Sequence, residues 1–181
     1  MSGNGSDQMS DISFRMMNTL FNLLDFVHPY IDQRMCSFGI REGITLVDYG
    51  CGPGRYTLRF SKLVGPSGKV FAVDIHPLAI EMVKAKIQKY RMGNVVPILA
   101  DGYNSGLPNQ IADVVCAIDM FFGVKEPVLF LGELKRITKS DGLLILDDGH
   151  QSRRVTKEKL QTSGYWSIIE ETPDHLKCKP Q

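Results

Sequence analysis

One stretch constrains this chain more than any other: Val47-Asp48-Tyr49-Gly50-Cys51-Gly52-Pro53-Gly54-Arg55-Tyr56. The apolar run Ile44 to Val47 leads into it and reads as a buried strand. Glycines follow at positions 50, 52 and 54, then a segment of helical periodicity. Strand, glycine turn and helix together let a nucleotide-like ligand approach bare backbone, since glycine has no Cβ to hold it off. The helix behind the turn offers free N–H groups and the positive end of its dipole. The spacing is G-x-G-x-G. Arg55 stands where the dinucleotide fingerprint would have its third glycine, and Pro53 stiffens the loop.

A chain of 181 residues is expected to form one domain with a substantial core. The net charge of +1 lacks the basic footprint of a nucleic-acid binder, so no nucleic-acid partner is expected. No apolar run reaches the length of a membrane span. The start, Met1-Ser2-Gly3-Asn4-Gly5-Ser6, is polar and carries no signal region, which points to a cytoplasmic protein. Cys36, Cys51, Cys116 and Cys178 form no C-x-x-C pair, so neither a zinc site nor a disulfide framework is expected.

Residues 1–10 read as a flexible tail. Residues 11–42 read as a helical leader. Ile12, Met16, Leu20, Leu23 and Val27 fall at helical spacing, and Phe14, Met17, Phe21 and Leu24 widen the apolar stripe. That stripe suits packing on the domain, a lid over a pocket, or the surface of a homodimer. A short helix, Ile31 to Phe38, precedes the first strand. The remaining domain, 43–181, alternates strands and helices. A first crossover helix is predicted from Arg55 to Val64. A second strand, Val70 to Val73, ends at Asp74, 20 residues after Gly54. An acid at that point accepts hydrogen bonds from ribose hydroxyls in nucleotide-binding α/β folds, and it also suits a helix N-cap before Pro77. A helix follows from Pro77 to Arg91, with Ala79, Met82, Val83, Ile87 and Tyr90 on its apolar face. The third strand, Val95 to Leu99, contains Pro97 and so belongs at a sheet edge. Asp101-Gly102 closes it. The fourth, Ala112 to Ile118, is near-continuously apolar, as a central parallel strand should be. After a helix from Glu126 to Thr138, Ser140-Asp141-Gly142 reads as a turn into a fifth strand, Leu143 to Leu146. A short helix and two final strands, Trp166 to Ile169 and His175 to Cys178, complete the chain. The short link between those strands allows only an antiparallel pair.

This alternation predicts an α/β fold: a doubly wound, mostly parallel Rossmann-like sheet with helices on both faces. Ligands of such sheets bind outside the carboxyl ends of the strands. Gly50, Asp74, Asp101, Asp119 and His150 all stand at such ends and therefore share one rim.

These residues resemble the class I S-adenosylmethionine-dependent methyltransferases. The likeness runs from about Gly43 to the end. It is carried by Val47 to Gly54, by Val73-Asp74-Ile75, by Ala100-Asp101-Gly102, by Ala112-Asp113-Val114-Val115 and by Leu134-Lys135-Arg136-Ile137 with Asp141-Gly142. Within the family the chain is similar to the small methyltransferases related to the ubiquinone/menaquinone-biosynthesis type. The resemblance implies seven strands with the last antiparallel, and S-adenosylmethionine as cofactor. It implies that Gly50, Cys51, Gly52 and Gly54 hold the methionine part, and that Asp48 orients its amino group. It also implies that Asp74 binds the ribose with Ile75 against the adenine, that Asp101 and Gly102 bind the adenine amino group, and that the carbonyl near Ile118 or Asp119 meets the methionine.

A sulfonium cofactor carries its own leaving group, so the protein supplies binding, orientation and electrostatics. In-line attack needs alignment and exclusion of water more than an acid–base set. Where the nucleophile must lose a proton, His150 is the candidate catalytic base, against its simpler reading as a surface histidine in a turn. His28 and Tyr30 are weaker candidates for the pocket wall. Asp119, Asp147, Asp148 and His150 form an oxygen-rich set of the kind that suits Mg²⁺, but their proximity rests on topology alone and no metal is assigned. No Asn-Pro-Pro-Tyr-type run follows the fourth strand, which argues against amino-methyltransferases of adenine and glutamine. Only 31 residues follow His150, so the expected acceptor is a small molecule, with Phe121-Phe122 leaning to one with an apolar part. Two other readings stay open on sequence: a domain that binds S-adenosylmethionine without catalysis, and an NAD-dependent oxidoreductase, which the glycine spacing disfavours.

Overall fold

The computed structural model describes residues 11, 12, 16 and 30–181. The expectations of a tail over 1–10 and of a continuous leader helix fall largely outside the described residues. Residues 11, 12 and 16 are helical, and Ile12 and Met16 are exposed.

From Tyr30 the elements run α1 (Tyr30–Cys36), β1 (Thr45–Tyr49), α2 (Thr57–Val64), β2 (Lys69–Asp74), α3 (Pro77–Tyr90), β3 (Val95–Leu99) and β4 (Ala112–Ala117). A 3-10 turn, Phe121–Gly123, leads to α4 (Pro127–Ile137), β5 (Thr138–Leu146), α5 (Arg153–Ser163), β6 (Trp166–Glu171) and β7 (Leu176–Pro180). The seven strands form one sheet in the order β3-β2-β1-β4-β5-β7-β6. The first five pair in parallel, and β7 is antiparallel to both neighbours. The doubly wound sheet with its antiparallel last strand is therefore as the sequence predicts. The order reverses between β1 and β4, so the crevice between their carboxyl ends is the switch point where ligands bind.

Strand periodicity of two divides the core. Val47, Tyr49, Val115, Ala117, Leu144 and Leu146 face one side, where α4 and α5 contribute Phe130, Leu131, Leu134 and Leu160. Leu46, Val114, Cys116 and Ile145 face the other, against Phe60 and Val64 of α2 and Ile80 and Val83 of α3. Ile31 and Met35 of α1 and Phe38 just beyond it also enter this second layer, which fixes α1 to the domain. Pro97 lies in β3 at the sheet edge, where its missing N–H costs no ladder bond.

Three local expectations are corrected. The first crossover helix begins at Thr57 rather than Arg55, because the glycine turn continues through Tyr56. Tyr90 is about half exposed rather than on the buried face, since α3 stops there and Arg91 adopts the left-handed conformation as its cap. Ser140-Asp141-Gly142 is not a turn: α4 runs straight into β5, which begins at Thr138 and shifts register against β4 between Ala112 and Val114. A Cβ at Gly142 would lie 3.0 Å from the Asp113 carbonyl oxygen, so this close passage of two strands, not a change of direction, accounts for the glycine.

Candidate active site

The glycine turn leaves β1 with two bonds to the neighbouring strand: the N–H groups of Gly50 and Cys51 both donate to the Val73 carbonyl, at 2.8 and 3.0 Å. Gly50 has φ +76°, and a Cβ there would stand 2.8 Å from Cγ of Met120, just past β4. The glycine is thus required both by the turn and by the approach of the β4 end. Gly52, at φ +52°, has nothing within 4 Å of where its Cβ would be, so here the backbone faces open space. The Gly52 N–H donates to Oδ2 of Asp74 at 2.8 Å, and the His76 N–H donates to Oδ1 at the same distance. The second-strand acid therefore grips the first-strand loop. Burial pushes the Asp74 carboxyl above its ordinary pKa, while the His76 and Gly52 N–H groups oppose that rise.

Asp48 sits beneath the turn. It is buried and accepts a 2.5 Å hydrogen bond from the Thr57 hydroxyl at the start of α2. Burial raises its pKa to about 7; the Thr57 bond lowers it and the Asp74 charge adds to the rise. Cys51 is buried, and burial raises its thiol well above the ordinary value, so it is no nucleophile. Farther along the rim Ile75 is half-buried and Leu99 exposed, and together they offer apolar surface at the ends of β2 and β3. The exposed Asp101 exchanges backbone bonds of 3.0 Å with Asn104, and Gly102 between them faces open space.

Beyond the switch point the rim has a different character. Asp119 follows β4 in the left-handed conformation, at φ +58°. Its N–H donates to Oδ1 of Asp147 at 2.9 Å, and the Tyr56 hydroxyl donates to its Oδ2 at 3.0 Å. Arg34 of α1 lies over the pair. Its Nη1 donates to Tyr56 at 2.9 Å and Asp119 Oδ1 at 3.4 Å; its Nη2 donates to Asp147 Oδ2 at 2.5 Å and the Asp174 carbonyl at 2.9 Å. Burial disfavours the charge on Arg34, but Tyr56, Asp147 and Asp119 outweigh it and hold the guanidinium more firmly protonated than usual. Burial, followed by the Asp119 charge, raises Asp147, against the pull of Arg34.

The structure thus brings Asp119 and Asp147 together but gives neither Asp148 nor His150 a place with them. Asp148 is drawn to Arg153, at 2.8 Å, which in turn holds the Thr172 carbonyl of the β6–β7 link. His150 is exposed and meets the Phe122 ring edge-on, with centroids 4.7 Å apart. Arg34 and Tyr56 were not singled out from sequence. Arg34 left one signal: Ile31, Arg34, Met35 and Phe38 fall at i, i+3, i+4 and i+7, so a charged residue stands on the apolar face of a short helix.

The β1–β3 side of the rim has the features that suit a nucleoside. Asp74 has both oxygens anchored by backbone and keeps lone pairs for hydroxyl donors, Gly52 and Gly102 leave backbone open, and Leu99 with Ile75 can cover a flat ring.

A family model described as "Methyltransferase domain" matches residues 40–178. The chain is 29% identical over 128 residues to demethylmenaquinone methyltransferase of Staphylococcus aureus, covering 70% of this chain and 52% of that protein. It is 30% identical over 108 residues to the tRNA (adenine(58)-N(1))-methyltransferase catalytic subunit TRM61 of Yarrowia lipolytica, covering 60% of this chain and 27% of that one. These matches therefore span about half or less of the curated relatives' own length. Among solved structures, a SAM dependent methyltransferase from Aquifex aeolicus superposes with a TM-score of 0.73 at 26% identity, covering 82% of this chain and 87% of that one. The matching domain, the switch-point glycine turn and the acid that grips it agree, and the chain belongs to the class I S-adenosylmethionine-dependent methyltransferase family.

Proposed function

We propose that this protein transfers the methyl group of S-adenosylmethionine to a small-molecule acceptor by in-line displacement. The observation that carries the reading is the Asp74–Gly52 bond, which joins the ribose-type acid of β2 to the open glycine backbone of β1. The cofactor supplies an electrophilic methyl group and a neutral thioether leaving group. The chain's residues bind and orient. Asp74 accepts from the ribose hydroxyls; Ile75 and Leu99 cover the adenine; Asp101 and Gly102 meet its amino edge. Gly50, Cys51, Gly52 and Gly54 lie along the methionine part, the backbone at Asp119 receives its amino group, and Asp48 acts from beneath through the turn. The acceptor approaches at the ends of β4 and β5, where residues 11–42 contribute Arg34. The demethylmenaquinone methyltransferase likeness and the exposed Phe122 favour an acceptor with an apolar ring. In this reading His150 is the candidate base on the outer wall, and the protein works in the reducing cytoplasm, where its four free cysteines stay as thiols.

Calorimetric titration with S-adenosylhomocysteine, with NAD in parallel, tests the cofactor half. Micromolar binding of S-adenosylhomocysteine alone is the expected result. Asp74→Ala should weaken it by roughly tenfold or more, since it removes a charge-assisted acceptor worth about 1.5–3 kcal/mol, while the variant stays folded by circular dichroism. Unchanged affinity in a folded Asp74→Ala would overturn the assignment, and NAD binding would move the reading to an oxidoreductase.

A further inference from the structure

Among the described residues four oxygens accept from the two Nη groups of Arg34: the Tyr56 hydroxyl, a carboxylate oxygen each from Asp119 and Asp147, and the Asp174 carbonyl; its Nε is buried without a partner. The four oxygens come from the glycine turn, the ends of β4 and β5, and the β6–β7 link. Two carboxylates, a carbonyl and a hydroxyl are the donor types that hold a hard divalent cation. Here the cation is covalent. The Arg34 and Asp147 side chains are only 5% and 3% exposed, whereas that of Asp119 is 40% exposed. Tyr56 and Asp147 are thus buried beneath the cage, while Asp119 and the exposed Asp174 bring it to the surface.

Asp119 also occupies a left-handed backbone conformation, uncommon outside glycine but one that Asp tolerates better than most residues. Its N–H is tied to one oxygen of Asp147, and the other oxygen of Asp147 is tied to Arg34. Backbone and side chain of Asp119 are thus both linked to the same guanidinium, and the Tyr56 hydroxyl holds the second carboxylate oxygen.

We infer that Arg34 is a resident cation: a positioning residue that fills an all-oxygen cage at the transfer site, fixes the Asp119 carboxylate on the rim, and holds the place a divalent ion would take. The inference rests on reading this end of the sheet as the acceptor side. It bears on the acceptor's chemistry. The surface that the cage offers is the outer side of a carboxylate with lone pairs to spare, so the acceptor presents a hydrogen-bond donor, a hydroxyl or an amine, and reaches the rim without a bridging metal.

The full chain, Arg34→Ala and the milder Arg34→Gln are titrated with Mn²⁺, the bound ion counted by electron paramagnetic resonance and the melting temperature followed in parallel. The wild type should show no Mn²⁺ at this site. Either variant should bind one Mn²⁺ and gain roughly 5 °C or more at a hundredfold excess over its dissociation constant; a variant that folds only when Mn²⁺ is added gives the same answer. Asp119→Asn in the Arg34→Gln background should abolish the gain, which a purely structural arginine would not predict. A folded Arg34→Gln that binds no Mn²⁺, or a wild type that binds it as well as the variant does, overturns the inference. S-adenosylhomocysteine titration of the wild type separates the two readings: its failure would remove the methyl-transfer assignment and leave the Mn²⁺ result standing.

Discussion

Asp48 and Asp147 are both buried carboxylates at the heart of one parallel sheet, and the chain deals with them in opposite ways. Asp48, within β1, has a neutral hydroxyl for a partner, and burial lifts its pKa to about 7. Asp147, just past β5, faces a guanidinium 2.5 Å away. Burial raises both carboxyls; at Asp48 only a hydroxyl opposes the rise, whereas at Asp147 a guanidinium does. The difference follows the division of the rim. On the β1–β3 side the side chains are tied to backbone N–H groups and glycines leave open space, so the surface is shaped for a ligand. On the β4–β5 side the polar groups are spent largely on one another. A buried ion pair repays its desolvation only when further hydrogen bonds support it; among the described residues the two Nη groups of Arg34 reach four oxygens, while its buried Nε has no partner.

The largest test of this contrast is Asp147→Ala. It leaves Arg34 buried beside a lost partner, and we expect a loss of about 3–5 kcal/mol in chemical unfolding. The apolar pair Arg34→Met with Asp147→Leu should recover much of that loss, because both desolvation costs go together. A mild effect of the single variant would mean that the pair is not the fixed point of this half.

Asp48→Asn sharpens the other side. The variant keeps an oxygen for Thr57 but does not titrate. In the wild type the unfolded chain loses the Asp48 proton near the ordinary carboxyl pKa of 3.8, and the folded chain loses it near 7. Within that window the folded state holds the extra proton, so this group's contribution to stability falls as pH rises and is lost above about 7. The advantage of Asp48→Asn over wild type should therefore grow between pH 5 and pH 8, by on the order of 2–3 kcal/mol at most. A difference that stays constant across this range would show that Asp48 holds no proton in the folded state.

The smallest effect is expected from His150→Ala. The ring is exposed and touches the edge of Phe122, outside both halves of the comparison. Unfolding should change by no more than about 0.5 kcal/mol, and S-adenosylhomocysteine affinity should stay the same. A larger loss in either would make His150 part of the rim's framework.

Much of the β1–β3 side of the rim was legible in the sequence. Glycine at 50, 52 and 54 encodes a turn through conformational freedom, a property of the residues themselves. Asp74 could be placed because an apolar run ends on it and helix signals follow. Its bond to Gly52 could not, although the parallel pairing of β1 with β2 makes it almost unavoidable. The turn assigned at Ser140 to Gly142 failed for a different reason. Glycine marks close approach of two backbones as readily as it marks a reversal, and composition does not tell the two apart. Tyr90 continued the apolar stripe of α3 on paper, but the helix ended before the stripe mattered.

The amino-acid sequence by itself determined the parallel sheet, its antiparallel closing strand, the edge position of β3 and the glycine turn at the switch point. Each is set by local periodicity, turn chemistry or the length of a connection. Only the tertiary structure decided which charges meet. Arg34 is 85 residues from Asp119 and 113 from Asp147, and nothing in the spacing of the three announces the cage. A guanidinium on a short helix finds its carboxylates only when the switch point brings the ends of β4 and β5 beneath it. Burial there, rather than residue type, makes the pairing obligatory.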